Sequence, residues 1–457
     1  MSLAATILHT LCEIWAGLNV GFTATLIVGL LLLQRRFAQA RRVVQANAQR
    51  DDGRWPAIAI LRPCEGGEPG LHENLLSSVT APYPGPRQVL ILVPSERDAA
   101  HAIAQDVVRA AAALSTASSA ASSSASSTVV RVLVTSPPAL CNRKAFQLAA
   151  AMPQVQAPIV VCGDSDVRLS GDDLPALLWP FREGTGPRPT GASFAAPIEV
   201  ASQTAWDRAG AALVCASAQS FLALYGLYAL RAPRETDDLN ADEDVPRSTA
   251  AATSAAAHGR DHAPRADSAH AAPMMAGALC ALPTAALDQI GGFSAFFDCL
   301  GEDNEIARRL CGLGYHIAVS PLPARCFDGG RTARQVIDRA ARWQTVVRAQ
   351  RPALWPTYPL MLGVTPALVL LALLWPSKVL TGFVLTLVVL RTILSQRLLQ
   401  LQGLPASLFQ AVVALVQGEG LLWLGFLRSA ASRRITWRGH PFRVERGGHL
   451  RPVTQRG

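Results

Sequence analysis

Twenty consecutive residues, 14–33, carry no charge. A helix rises about 1.5 Å per residue, so a run of this length covers the roughly 30 Å of a bilayer's hydrocarbon core and predicts a spanning helix. Arg35, Arg36, Arg41 and Arg42 follow at once. Basic residues collect on the cytoplasmic side of a membrane, so the chain beyond residue 34 is expected in the cytoplasm. A cleaved signal peptide fits less well, because its apolar run is only about 7–15 residues long and its positive charges precede it. Toward the other end, runs 354–375 and 379–394 predict a helical pair joined by Pro376-Ser377-Lys378, with Arg391 and Arg397 at the returning end. A further apolar run, 408–427, contains Glu419 and is followed by eight arginines from Arg428 to Arg456. A span there would leave a basic tail outside, so a span and a re-entrant or interfacial helix both stay open. A fourth uncharged run, 209–230, includes Ser217, Gln219, Ser220, Tyr225 and Tyr228. It reads either as a buried helix of a soluble domain or as a helix lying at the bilayer face.

Between the membrane segments the pattern changes to short apolar runs alternating with helical stretches, which predicts an α/β domain with a mostly parallel sheet. Strands are expected at 57–61, 89–93, 129–134 and 159–161, with helices at 71–79 and 99–114. Residues 115–128 are almost wholly Ser and Ala and read as a flexible insertion. A second insertion, 234–272, opens with Asp237, Asp238, Asp242, Glu243 and Asp244, and its histidines, His258, His262 and His270, read as solvated rather than as metal ligands. The organisation is thus an N-terminal membrane helix at 1–34, a cytoplasmic domain at 55–350, membrane helices at 354–427 and a basic tail at 428–457.

Composition supports this division. Half of the 457 residues are hydrophobic and only 16% are charged, an apolar excess that a wholly soluble globule would not tolerate. The net charge of +9 suits anionic lipid or a phosphate-bearing substrate; nucleic acid is not expected as a partner. Nine cysteines with no C-x-x-C pair argue against a disulfide framework and a structural zinc site, and for a reducing compartment.

Candidate chemistry lies in three places. Directly after the strand 159–161 comes Cys162-Gly163-Asp164-Ser165-Asp166. Two carboxylates at the carboxyl end of a buried strand sit where open α/β sheets bind ligands, and they suit a hard divalent cation that keeps positions free for phosphate oxygens. Farther on, Gly291-Gly292-Phe293 opens a turn, and Leu300-Gly301-Glu302-Asp303-Asn304-Glu305 precedes a helix. Asp303 there is either a helix-capping acid or a general base. Third, Arg339 and Arg342 fall three apart on one helical face beside Trp343, suited to gripping anionic groups.

In this order the motifs resemble glycosyltransferase family 2 enzymes, most closely the ceramide glucosyltransferase-like branch, with hopanoid glycosyltransferases as a sister group. Asn142-Arg143-Lys144 looks like that branch's N-P-K segment and Ile435-Thr436-Trp437-Arg438 like its closing I-S-W-R element. The resemblance implies a GT-A type nucleotide-sugar-binding domain held between N-terminal and C-terminal transmembrane helices. By it, Asp164 and Asp166 would bind Mg²⁺ or Mn²⁺ on the diphosphate of a UDP-sugar. Asp303 would be the base, and Arg339, Arg342 and Trp343 would close the site around diphosphate and acceptor. Lys144 and the stretch Arg62-Pro63-Cys64-Glu65 would border the nucleotide. The implied product is a glycolipid made by one inverting displacement onto a lipid hydroxyl, by an integral protein of a bacterial inner membrane. The chain departs from the pattern after its second strand, where Val93-Pro94-Ser95-Glu96-Arg97-Asp98 puts Ser95 in place of an aspartate, with Asp98 or Glu96 as substitutes. Two alternatives accompany this reading: a processive polysaccharide synthase of the cellulose or hyaluronan type, and a non-enzymatic membrane subunit.

Overall fold

The computed structural model describes residues 3–47, 55–119, 128–182, 189–200, 203–228, 274–437 and 440–453. The insertion expected at 234–272, with its histidines, lies outside them. Of the insertion expected at 115–128, residues 120–127 also lie outside, while 115–119 continue a helix; serine and alanine are tolerated there because alanine is the strongest helix former.

The chain opens with α1 (Leu3–Asn47), then β1 (Ile58–Pro63), α2 (Leu71–Thr80), β2 (Arg87–Val93), α3 (Ala99–Ser119), β3 (Thr128–Val134), α4 (Arg143–Ala151) and β4 (Ile159–Gly163). It continues through β5 (Val167–Arg168), α5 (Asp173–Leu178), β6 (Thr190–Phe194), β7 (Pro197–Glu199), α6 (Ala205–Tyr228), β8 (Leu279–Pro283), α7 (Thr284–Gln289), α8 (Glu302–Gly312), β9 (His316–Val319) and β10 (Ala324–Cys326). Then follow α9 (Ala333–Gln350), α10 (Thr365–Leu374), α11 (Lys378–Leu401), α12 (Leu408–Ala431) and a small sheet of β11 (Arg434–Trp437), β12 (His440–Val444) and β13 (Leu450–Pro452).

The seven-stranded sheet runs β3-β2-β1-β4-β8-β6-β9. All its pairings are parallel except the two made by β8, which lies antiparallel between β4 and β6. The central strands are buried along their whole length, and apolar but for Arg62, because both faces are covered. One face packs Ile58, Ile60, Ile91 and Val161 against Leu71, Leu75 and Ala104. The other packs Leu61, Leu92 and Val160 against Ala145, Leu148 and Leu310. Reversal at β8 brings the carboxyl end of β4 beside the segment preceding β8, which the site uses.

Among the described residues four helices are long and apolar enough to cross a membrane: Thr6–Ala46, Ala205–Leu227, Lys378–Leu401 and Leu408–Ala431. Helix α1 extends past the expected span and joins the sheet domain, where Arg41 donates to Pro321 O at 2.9 and 2.7 Å and Val44 packs on Ala176. It runs beside α11, with Glu13 accepting from Ser377 Oγ at 2.7 Å and Gln34 donating to Arg397 O at 3.3 Å. Helix α6 crosses α1 where only small residues fit, since a side chain on Gly29 or Gly226 would fall on the other helix's backbone. Residues 209–228 of the uncharged run are therefore part of one bundle with α1 and α12.

The expected helical pair is not regular. Pro356, Pro359 and Pro366 interrupt the first arm, which becomes a π turn (Tyr358–Leu362) and the ten-residue α10, too short to cross a bilayer. Arg391 does not flank a span but is buried, 1% exposed. Its guanidinium donates to Leu362 O at 3.0 Å, to Met361 O and to Gln219 Oε1 at 3.2 Å, and lies 3.8 Å from Glu419. The broken helix leaves carbonyls free, and the arginine satisfies them. Glu419 in turn accepts from Thr365 N and Oγ1, both at 2.9 Å.

Valine in place of Gly226 is expected to force α1 and α6 apart, at a cost of about 1–3 kcal/mol or more. A lower unfolding temperature in detergent checks this; an unshifted one places the crossing elsewhere.

Candidate active site

The turn after β4 carries Asp164, Ser165 and Asp166. Asp164 N donates to Ala278 O at 2.8 Å, and Val167 N closes the turn on Asp164 O at 3.0 Å. Ser165 points away from the strand and donates to Glu68 at 2.6 Å, while its carbonyl accepts from Asn74 Nδ2 at 3.1 Å. Beneath lies Arg62, fully buried, donating to Val167 O at 2.6 Å and Ser78 Oγ at 3.2 Å. A cation under two carboxylates offsets part of their repulsion. Asp166 nevertheless stays pushed up to about 7, first by burial and then by Asp164.

Lys144, on the first turn of α4, reaches across to this turn. Its ammonium lies 2.6 Å from Asp164 Oδ1 and 3.7 Å from Glu302 Oε1, and donates to Gly277 O at 2.9 Å. Burial opposes its charge, but Asp164 and Glu302 outweigh that and raise the lysine well above its ordinary value. Asn142 caps α4 and binds Cys299 O at 2.8 Å and Glu302 Oε2 at 2.9 Å, fastening the two helix starts together.

Asp303 stands in the first turn of α8. Its Oδ2 accepts from Gly277 N at 2.9 Å and its Oδ1 from Asn304 N at 2.8 Å. Burial, and then Glu302 next to it, push the carboxyl up to about 7 against the opposing pull of Lys144. Gly277 thus joins the motifs: its carbonyl takes the lysine that holds Asp164, and its amide holds Asp303.

The facing wall is basic and held by acids. Glu199, at the end of β7, binds both Arg331 and Arg339, and Arg331 also meets Asp328 at 2.8 Å. Asp207 at the start of α6 accepts from Gly330 N at 3.0 Å and Arg331 N at 2.9 Å, fixing the loop before α9. The Arg339 guanidinium lies over the Trp343 ring, 4.7 Å from its centre.

One cavity of about 700 Å³ lies among these groups. Pro63, Lys144, Asp164, Asp166, Asp303, Arg339, Arg342 and Trp343 all lie on its wall. Glu65 and Asp98 do not. Glu65 is engaged by Arg143 at 2.9 Å, and Asp98 accepts from Gly66 N at 2.8 Å and Ala100 N at 2.9 Å, so both brace the loop after β1. Sequence reasoning missed Glu68, Glu199, Asp328 and Arg331; the run Asp328-Gly329-Gly330-Arg331 just after a strand is the one signal that pointed to any of them.

Asp166 is the carboxylate that bears most on a divalent cation. Its Oδ1 is buried with no hydrogen-bond partner, beside a second carboxylate that reaches the cavity. Such a pair suits a cation. Among the described residues no group of three or more His, Cys, Asp or Glu side chains is placed to hold a metal. The remaining ligands would therefore come from substrate oxygens or water.

A GT-A type α/β domain with paired carboxylates, a third carboxylate and an arginine wall around one cleft defines the class, a glycosyltransferase. The sequence profile of glycosyl transferase family 21 matches residues 21–187 and 246–450, and the chain belongs to that family. No curated protein matches the sequence significantly. Among solved structures, the chain is similar to the mannosyltransferase of Pyrobaculum calidifontis in complex with GDP-Man and Mn²⁺, at 15% identity and a TM-score of 0.43, over 92% of this chain and 99% of that one. It is also similar to glucosyl-3-phosphoglycerate synthase from Mycobacterium tuberculosis with Mn²⁺, UDP and glucosyl-3-phosphoglycerate, at 12% identity and a TM-score of 0.33, over 64% and 77% of the two chains. Residues 1–349 of S. aureus TarS give 11% identity and a TM-score of 0.33, over 86% and 98%.

Replacing Lys144 by Met is expected to leave Asp164 and Glu302 unbalanced, costing about 1–3 kcal/mol of stability and most of the donor affinity. Thermal unfolding and nucleotide titration check the two effects separately.

Proposed function

We propose that this enzyme transfers a hexose or N-acetylhexosamine from a UDP-sugar to the hydroxyl of a membrane lipid of ceramide or hopanoid type, with inversion. One observation carries the reading: a single cavity is lined both by the charged groups above and by apolar side chains, among them Leu213, Val214 and Phe221 of α6 and Leu422 of α12, both helices of membrane-crossing length. A lipid alcohol needs such a site, with its chains in an apolar passage and its hydroxyl against carboxylates. Ser217 of α6 also lines the cavity and brings a hydroxyl to it.

In this reading Asp303 accepts the proton of the attacking hydroxyl, and Arg339, Arg342 and Lys144 hold the diphosphate as it leaves. Asp164 and Asp166 would hold Mg²⁺ or Mn²⁺, which supplies neutralisation of charge on the leaving group. Trp343 stacks on Arg339 and keeps its guanidinium directed. Donor base recognition would fall to the loop after β1, which Glu65 and Asp98 brace. The four arginines after residue 34 support a cytoplasmic domain, organised as a membrane helix at 1–34, a transferase domain at 55–350, membrane-associated helices at 354–427 and the tail at 428–457.

Purified protein incubated with several UDP-sugars and a total lipid extract is expected to yield one new glycolipid by mass spectrometry. A long polymer in sealed vesicles would instead favour a processive synthase. Asp303→Asn is expected to abolish transfer and keep donor binding; the double change Asp164→Ala, Asp166→Ala removes the metal dependence of that binding. Because a carboxyl raised to about 7 accepts a proton only when ionised, turnover falls as pH drops below about 7 and levels off above it. An acid limb near pH 4 in the pH–rate profile would contradict Asp303 as the base.

A further inference from the structure

The sheet of β11, β12 and β13 contributes no group to the chemistry above, yet it grips the segment that leads into Asp303. Residues 298–300 run antiparallel to 448–450: Leu450 N donates to Asp298 O at 2.6 Å, Leu300 N donates to Gly448 O at 2.8 Å, and Cys299 pairs with His449 between them. The Leu300 side chain enters the core of that sheet with Phe442, Val444 and Leu450, and with Val346 of α9. At the end of α9, Gln350 Nε2 donates to Leu300 O at 3.0 Å and to Gly301 O at 3.2 Å. Asn142 holds Cys299 O from the opposite side at 2.8 Å. The carbonyls of residues 298 to 301 are therefore all engaged, immediately ahead of the carboxylate. Gly448 has φ +89°, and a Cβ there would lie 2.9 Å from Gln350 Nε2 and 3.0 Å from Leu300 O, so the close approach depends on glycine.

We propose that this C-terminal sheet is a positioning element of the transfer reaction: by clamping residues 298–301 it sets the direction from which Asp303 meets the acceptor hydroxyl, with Gly448 and Gln350 as positioning residues. The inference rests on the reading of Asp303 as the base. The groups assigned to the donor stand in the loop after β1, in the turn after β4, on α4 and on α9; of these Lys144 meets the start of α8, through Glu302 at 3.7 Å, so a small shift of residues 298–301 falls on proton transfer far more than on donor binding. The sheet follows α12 directly, which ties the base to the membrane helices as well as to the α/β domain.

The test uses full-length protein in lipid nanodiscs, UDP-sugar donors and total lipid extract, with Gly448→Val and Gln350→Met compared with the parent. The expected result is a kcat lower by about 10- to 100-fold, the scale of loss when a reacting group is misplaced by about an ångström. Donor KM and donor affinity stay within about twofold of the parent, and the amides of Leu300 and Leu450 exchange faster with solvent. An unchanged kcat in Gln350→Met overturns the proposal, as does a fall in donor affinity in that variant, because the sheet would then be supporting the domain as a whole. Should Gly448→Val fail to fold, Gln350→Met decides alone. Full turnover by Asp303→Asn would sink the base assignment itself, a distinct failure.

Discussion

A single partly buried ammonium group sets the charge balance on which the cleft depends. Lys144 is 2.6 Å from Asp164, 3.7 Å from Glu302 and donates to Gly277 O. Those partners come from three separated stretches of chain, and each brings a carboxylate or a carbonyl that repels the others. Without a cation between them, Asp164, Asp166, Glu302 and Asp303 would raise one another's affinity for protons and push the loops apart. The same balance leaves Asp303 half-way between acid and base near neutrality. The opposite wall inverts the arrangement, with Glu199 between Arg331 and Arg339. Each wall thus has its own counterion, and the space between is left to a charged ligand.

The bundle of long apolar helices repeats this design in a drier setting. Arg391 and Glu419 are both nearly fully buried, and together they bond to α6, α10 and the π turn. An ion pair in such a place adds little net stability, but removing one partner is costly, so the pair fixes which helices lie together. Since α6 contributes both Gln219 to this network and Phe221 to the cavity wall, the polar knot also sets the shape of the passage beside it.

Much of this was legible in the residues. The strands of the parallel half of the sheet announced themselves as apolar runs, and Asp164, Asp166, Asp303, Arg339, Arg342 and Trp343 do converge on one cavity. Glu199 and Arg331 were not legible, because a buried acid between two arginines leaves no local pattern; the partners lie on different elements and meet only after the sheet has formed. The broken arm at 354–375 was misread because hydropathy counts Pro356, Pro359 and Pro366 as tolerable while backbone geometry does not. Arg391 looked like a flank for the same reason: its acceptors are carbonyls released by those prolines. The tail at 428–457 looked merely basic, yet Phe442, Val444 and Leu450 alternate inward and build a small sheet with its own core.

The pairing of residues 298–300 with 448–450 bridges a stretch that contains α9, α10, α11 and α12. Contacts so distant along the chain carry a large loop-closure cost and are slow to form. On the role proposed for this pairing, catalytic competence comes late in folding: a molecule with a finished α/β domain but unassembled apolar helices would bind its donor without spending it.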